Sequence, residues 1–239
     1  MVTGSALIIG ALIGLYFNLP QRLVAGIMAF GSGVLISMLT FNLLVDAYDK
    51  AGIYPVMTGF LSGAIAFSLG DITLSRYSAR HRKRSTGQLP SEEAVKGSGL
   101  AIALGSLMDG IPEAIVIGIS LLAGGGVSTI IVIGIFLSNF PEGLSSSAGM
   151  RLSGRSKAYV LGVWGTIAAL TAIAAIVGCI AFEHLPGPMI AGSLSFAAGA
   201  LLAMVADTMI PEAFEKMHDF TGLIVVAGFA LIFFLDRIL

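Results

Sequence analysis

Phe140-Pro141-Glu142-Gly143 stands inside long apolar sequence, as do Ile111-Pro112-Glu113-Ala114 and Ile210-Pro211-Glu212-Ala213. A proline in a helix interior donates no hydrogen bond and releases the carbonyl four residues back, here those of Met108, Leu137 and Asp207. In lipid a released carbonyl and an ionisable side chain are both costly, and they persist where they line a cavity, pair with each other or hold an ion. The three quartets therefore read as buried carboxylates beside helix breaks, the equipment for moving a small cation through a membrane.

Composition identifies the solvent. Apolar residues make up 56 % of the 239 positions and charged residues 11 %, against about 45–50 % and 25 % in soluble domains; mean hydropathy is +0.95. Charge-free stretches run over 1–21, 23–45, 51–70, 114–141, 158–182, 184–206 and 220–235, and a spanning helix needs roughly 17–25 residues. With the carboxylate-bearing segments included, the sequence predicts an all-α integral membrane protein in a single domain, 1–239. Its eight spans are placed at 3–18, 21–47, 53–74, 98–122, 127–149, 158–182, 188–214 and 220–237. The first segment lacks a basic leader and a convincing cleavage site before Asn18-Leu-Pro-Gln-Arg22, so it is expected to remain as a span.

With both termini outside, the inside loops receive Arg22, Arg76, Arg80, Arg82, Lys83, Arg84, Lys96, Arg151, Arg155, Lys157 and Lys216, leaving Lys50 and Arg237 outside. That bias is the positive-inside pattern, and it places the basic and polar loop 75–97 in the cytoplasm of a cell bounded by this inner membrane. Nucleic acid is not needed to explain the basic run. Cys179 is the lone cysteine and can form no intramolecular disulfide. His81, His184 and His218 fall in predicted loops or at span ends, so an ion site within the membrane must be built mainly from oxygen.

Two internal similarities set the architecture. Aligning Gly33 with Gly199 sets Val34-Leu-Ile-Ser-Met38 against Ala200-Leu-Leu-Ala-Met204, and Asp46-Ala-Tyr-Asp49 against Glu212-Ala-Phe-Glu215. Asp109-Gly-Ile-Pro-Glu113 likewise matches Ser138-Asn-Phe-Pro-Glu142. These segments cross the membrane in opposite senses under the topology above. An inverted repeat is expected, spans 1–3 against 6–8 and span 4 against 5, with a midplane site at the repeat interface.

Residues four apart share a helix face. Asp109 stacks with Glu113 on the fourth span, Ser138 with Glu142 on the fifth, and Asn42 with Asp46 on the second. Gly105, Gly110, Gly118 and Gly143 allow close helix approach, so three carboxylates and a hydroxyl are expected to converge. Such a cluster does not stay fully ionised in a low-dielectric interior without a cation, which makes metal and protons competitors for Asp109, Glu113 and Glu142. Asp207, Glu212, Asn42, Asp46 and Asp71 are expected along the access and exit paths. Met38, Met108, Met204, Met209 and Trp164 read as packing.

Paired Pro-Glu motifs on the fourth and fifth of eight spans, a basic loop between the third and fourth, and outside termini resemble the ZIP (Zrt/Irt-like protein) family of divalent metal transporters, in its short bacterial form, over essentially the whole chain. The residues carrying the likeness are Asp109-Gly-Ile-Pro-Glu113, Ser138-Asn-Phe-Pro-Glu-Gly143 and Asp207-Thr-Met-Ile-Pro-Glu212. The resemblance implies that Glu113 and Glu142 bind the metal. It places Asp109 where the first-motif histidine stands, Ser138 at the fifth-span histidine or glutamine, and Asn139 at the position beside it. It also implies homodimeric assembly and movement of one helix group against another. Two departures matter: Gly110 replaces the family's asparagine ligand, and the sixth span has no bridging acid. A single oxygen-rich site remains, suited to Mn²⁺, Fe²⁺ or Mg²⁺ as well as Zn²⁺, with no further cofactor and no enzymatic activity expected. The alternatives are a transport-inactive protein that binds or senses metal, motivated by the lost histidines, and an intramembrane hydrolase using two carboxylates. The second lacks a serine/histidine or lysine dyad.

Overall fold

The computed structural model describes residues 2–74, 98–122 and 128–238; the expected cytoplasmic loop 75–97 lies outside the described residues. They fold into helices, with no strand among them. Helix α1 is Val2–Tyr16. Helix α2 runs from Gln21–Met38 through a widened, π-helical stretch Leu39–Leu44 into Val45–Ala51, and α3 is Ile53–Leu74. Then come α4 (Ser98–Leu122), α5 (Thr129–Leu152) and α6 (Lys157–Phe182). Helix α7 is Gly187–Met204 with a second π-helical stretch Val205–Met209 and a last segment Ile210–Met217; α8 is Thr221–Ile238. By length and composition, Gln21–Ala51, Ile53–Leu74, Thr129–Leu152, Lys157–Phe182 and Gly187–Ile238 can cross a membrane, and Thr3–Tyr16 is a shorter apolar helix. The protein is a multi-pass α-helical membrane protein in that sense.

Backbone chemistry marks the helix ends. Helix α2 continues past the expected end at 47 because no residue before Gly52 breaks it. Gly52 takes φ +73°, a left-handed value that glycine accepts freely, and donates to the Tyr48 carbonyl at 2.7 Å. Gly154, at φ +78°, ends α5, and the Ser156 hydroxyl caps α6 by accepting from the Tyr159 N–H at 3.2 Å. His218, at φ 46°, divides the apolar run Gly187–Ile238 into α7 and α8.

Pro112 and Pro141 do not break their helices as the sequence led us to expect; α4 and α5 are continuous through both. The cost is absorbed by packing around Pro141. A Cβ placed on Gly31 of α2 would lie 2.9 Å from the Pro141 ring and 3.2 Å from the released Leu137 carbonyl, so only a glycine lets α2 close over that spot. At Pro211 the ladder has already slipped, with the Ile210 N–H donating to the Val205 carbonyl five residues back. The π-helical stretch thus precedes the one residue that cannot donate.

Polarity is inverted relative to a soluble protein. Ile173, Ile176, Val177 and Ile180 on α6 and Leu61, Ile65 and Leu69 on α3 face outward, rows that suit lipid and not water. Inside, Met38, Met204, Met209 and Trp164 are fully buried packing residues. Helix α1 packs on α5, α4 on α6, α2 on α8 and α3 on α7. The last two crossings use the same device. Gly33 of α2 lies against the Val225 carbonyl of α8, and Gly199 of α7 against the Phe60 carbonyl of α3. In return, Gly228 of α8 meets the Phe30 carbonyl and Gly63 of α3 meets that of Phe196. Phe30 and Phe196, and the π-helical starts Leu39 and Val205, stand at the same separation in sequence as Gly33 and Gly199.

Candidate metal site

Asp109 and Glu113 on α4 and Ser138, Asn139 and Glu142 on α5 are all buried, at 1–5 % exposure. Burial of that depth for three carboxylates is rare without partners. The Ser138 hydroxyl links the two helices, donating within 3.0 Å of the Ile135 carbonyl and lying 3.5 Å from Glu113 Oε1. A hydroxyl has one proton. That proton goes to the Glu113 carboxyl group or to the Ile135 carbonyl, one at a time.

Glu113 and Asn139 line a cavity of about 530 Å³ between α1, α4, α5 and α6, with Thr3, Ser5 and Thr171 supplying further oxygen. The Asn139 amide reaches toward the Thr3 carbonyl of α1 at 3.5 Å. Helix α1 comes this close because Gly143, next to Glu142, lies against the Leu7 carbonyl. At the far end, Arg151 donates to the Leu15 and Phe17 carbonyls at 3.2 and 3.0 Å, satisfying orphan groups at the end of α1. Sequence reasoning missed α1 altogether as part of this site. Its only local signal is Thr3 and Ser5 in an otherwise apolar helix.

The expected convergence of Asp109, Glu113 and Glu142 on one point does not occur here: among the described residues no three His, Cys, Asp or Glu side chains are grouped to hold a metal ion. Glu113 faces the cavity, while Asp109 and Glu142 lie outside its lining.

Gly110, at the expected asparagine position, faces α6. A Cβ there would lie 2.5 Å from Thr171 Cγ2, and the Thr171 hydroxyl, donating to the Ile167 and Ala168 carbonyls at 3.0 and 3.1 Å, keeps that methyl in place. The position is filled by helix packing. Gly110→Asn is therefore expected to destabilise the protein by about 1–3 kcal/mol, and Thr171→Ser, which removes the methyl, to recover most of the loss in denaturant unfolding.

The remaining path residues divide. Glu212 accepts from Ser145 of α5 at 2.8 Å, beside the buried Ser146 and Ser147; this serine run just past Glu142 was not singled out from sequence. Asp207 is exposed, 3.4 Å from the Ser68 hydroxyl. Asn42 sits within the π-helical stretch of α2, its buried Nδ2 making no hydrogen bond among the described residues. Asp46 pairs with Lys50 at 2.6 Å on a half-exposed surface, an i,i+4 pair of modest value. Ser145→Ala is expected to lower stability by about 1.5–3 kcal/mol, the range for a hydrogen bond to a charged group, with Ser145→Thr close to wild type in the same unfolding measurement.

Comparison with protein-family models and with curated proteins finds no match to this chain.

Proposed function

We propose that this protein carries divalent metal cations, zinc, iron or manganese, across a cell membrane through a carboxylate site between α4 and α5. The observation that carries the reading is Glu113, buried within reach of Ser138 and lining, with Asn139, a cavity between four helices. A buried carboxyl group beside a hydroxyl and an amide at the wall of a cavity is equipment for an ion that comes and goes. Eight crossings with outside termini and the loop 75–97 inside complete the proposal.

The matched features of α2 and α7 support an inverted repeat, spans 1–3 against 6–8 and 4 against 5. Exchanging α2 with α7 and α3 with α8 turns the Gly33–Val225 contact into Gly199–Phe60 and superposes the two π-helical stretches in register. π-helical turns concentrate at functional positions, and here one holds Asn42 and the other Asp207. Movement of one helix group against another and homodimeric assembly enter the proposal from the resemblance to the ZIP family.

Metal binding without flux is the second reading, motivated by Asp109 and Ser138 standing where the resemblance places histidines. Reconstitution in liposomes with interior reporters for Zn²⁺, Mn²⁺, Fe²⁺, Co²⁺ and Mg²⁺ separates the two. Influx of one or more ions supports transport and names the substrate; saturable binding with no influx supports the second.

A further inference from the structure

Away from the carboxylates, a groove of about 780 Å³ opens where the start of α2 meets the turn between α7 and α8. Its rim carries Arg22, Lys216, His218 and Asp219, and its walls are Leu23, Ile27, Phe30 and Ile224, with Phe220 beside them. We propose that this groove is a binding site for one anionic phospholipid, the phosphate held by Arg22 and Lys216 and an acyl chain lying along Ile27 and Phe30.

Depth and charge argue for a lipid. Arg22 is the second residue of α2 and Lys216 the last but one of α7, so both cations sit at one end of spanning helices, at headgroup level. Neither makes an ion pair among the described residues. Asp219 offsets one of them, leaving the rim net cationic. From Arg22 to Phe30 is eight residues, about 12 Å along the helix, and over that depth the wall turns wholly apolar. A free phosphate uses only the rim, whereas a phospholipid uses rim and wall together. Helix α2 also begins without a side-chain cap, so its positive end adds to the attraction for a phosphate.

The groove is open to the bilayer. Leu23 is 50 % and Phe220 62 % exposed. Gly26 keeps the floor clear, since a Cβ there would meet only Ile224 Cδ1 at 3.8 Å and Met217 Cε at 3.9 Å. The cavity lies in the range of about 300–1,000 Å³ typical of ligand sites, and basic pockets between membrane helices bind anionic head groups. Under the proposed orientation the lipid comes from the cytoplasmic leaflet; the site itself is independent of which cation is carried.

The test is native mass spectrometry of the full chain from micelles containing equal dioleoyl phosphatidylglycerol and dioleoyl phosphatidylcholine, with inorganic phosphate as competitor. One phosphatidylglycerol per chain should be retained at least about 10-fold over phosphatidylcholine, as a net cationic rim at an anionic head group supplies. Millimolar phosphate should not displace it. Arg22→Gln/Lys216→Gln, both at the surface, should bring the preference within about 2-fold of unity at wild-type thermal stability, and Gly26→Leu, filling the floor, should reduce retention of both lipids. Equal retention of the two lipids by the wild type, or an unchanged preference in the double variant, overturns the proposal. Displacement by phosphate also overturns it, marking a simple anion site. So does disulfide formation between two copies of Leu23→Cys that excludes lipid, which marks an interface between chains.

Discussion

Glu113→Gln is expected to cut metal influx into liposomes at least about 100-fold, with expression and elution profile unchanged, and the family resemblance extends the same expectation to Glu142→Gln, outside the cavity lining. The amide keeps the shape of the side chain and removes the charge. Outer-shell partners of bound metals alone are worth 10–100-fold in affinity or activity, so loss of a carboxylate ligand should exceed that. Glu113 faces the cavity beside Ser138; Ser138→Ala, by the same reasoning, is expected to cost about 10–100-fold. Influx should also fall as external pH is lowered, because protons occupy the oxygens the metal needs. Isotope or fluorescence flux with each variant checks all three, and full influx in both glutamine variants rules out the site.

The largest effect on stability is expected at the two matched glycine crossings. Gly33→Ala and Gly199→Ala each place a methyl group onto a backbone carbonyl, that of Val225 or Phe60, which cannot swing aside as a side-chain tip can. Small residues at helix contacts are what hold membrane helices together where lipid supplies no hydrophobic drive. Each substitution should cost at least about 3 kcal/mol, the upper end of overpacking, and convert a monodisperse preparation into aggregate. Gly162→Ala and Gly222→Ala, with no described residue within 4 Å of the added methyl, should be neutral or mildly stabilising, as helix propensity predicts. Size-exclusion profiles and unfolding in denaturant distinguish the pairs, and similar losses at Gly33 and Gly199 are what a repeated architecture requires.

The helices were readable because their signal is local. Apolar runs of membrane length, punctuated by Pro20, Gly52, Gly154 and Pro186, need no knowledge of their neighbours. Burial of Asp109, Glu113 and Glu142 was readable for the same reason, since a carboxylate flanked by turns of apolar residues has no water nearby. The two prolines misled because a helix break was inferred from one missing donor. Around Pro141 the neighbouring helix α2 accommodates that loss through Gly31, a long-range contact that α5's own sequence does not contain.

From the sequence alone come the all-helical membrane character, the carboxylates and the repeated Gly33 and Gly199 registers, since each rests on composition or spacing within one segment. Tertiary structure alone decided that α1 helps wall the cavity, that Thr171 fills the place facing Gly110, that Ser145 serves Glu212 and that Asp109, Glu113 and Glu142 do not gather at one point. Those outcomes depend on how closely and at what angle helices cross, and the crossing is set by pairs of residues far apart in the chain, such as Gly143 with Leu7.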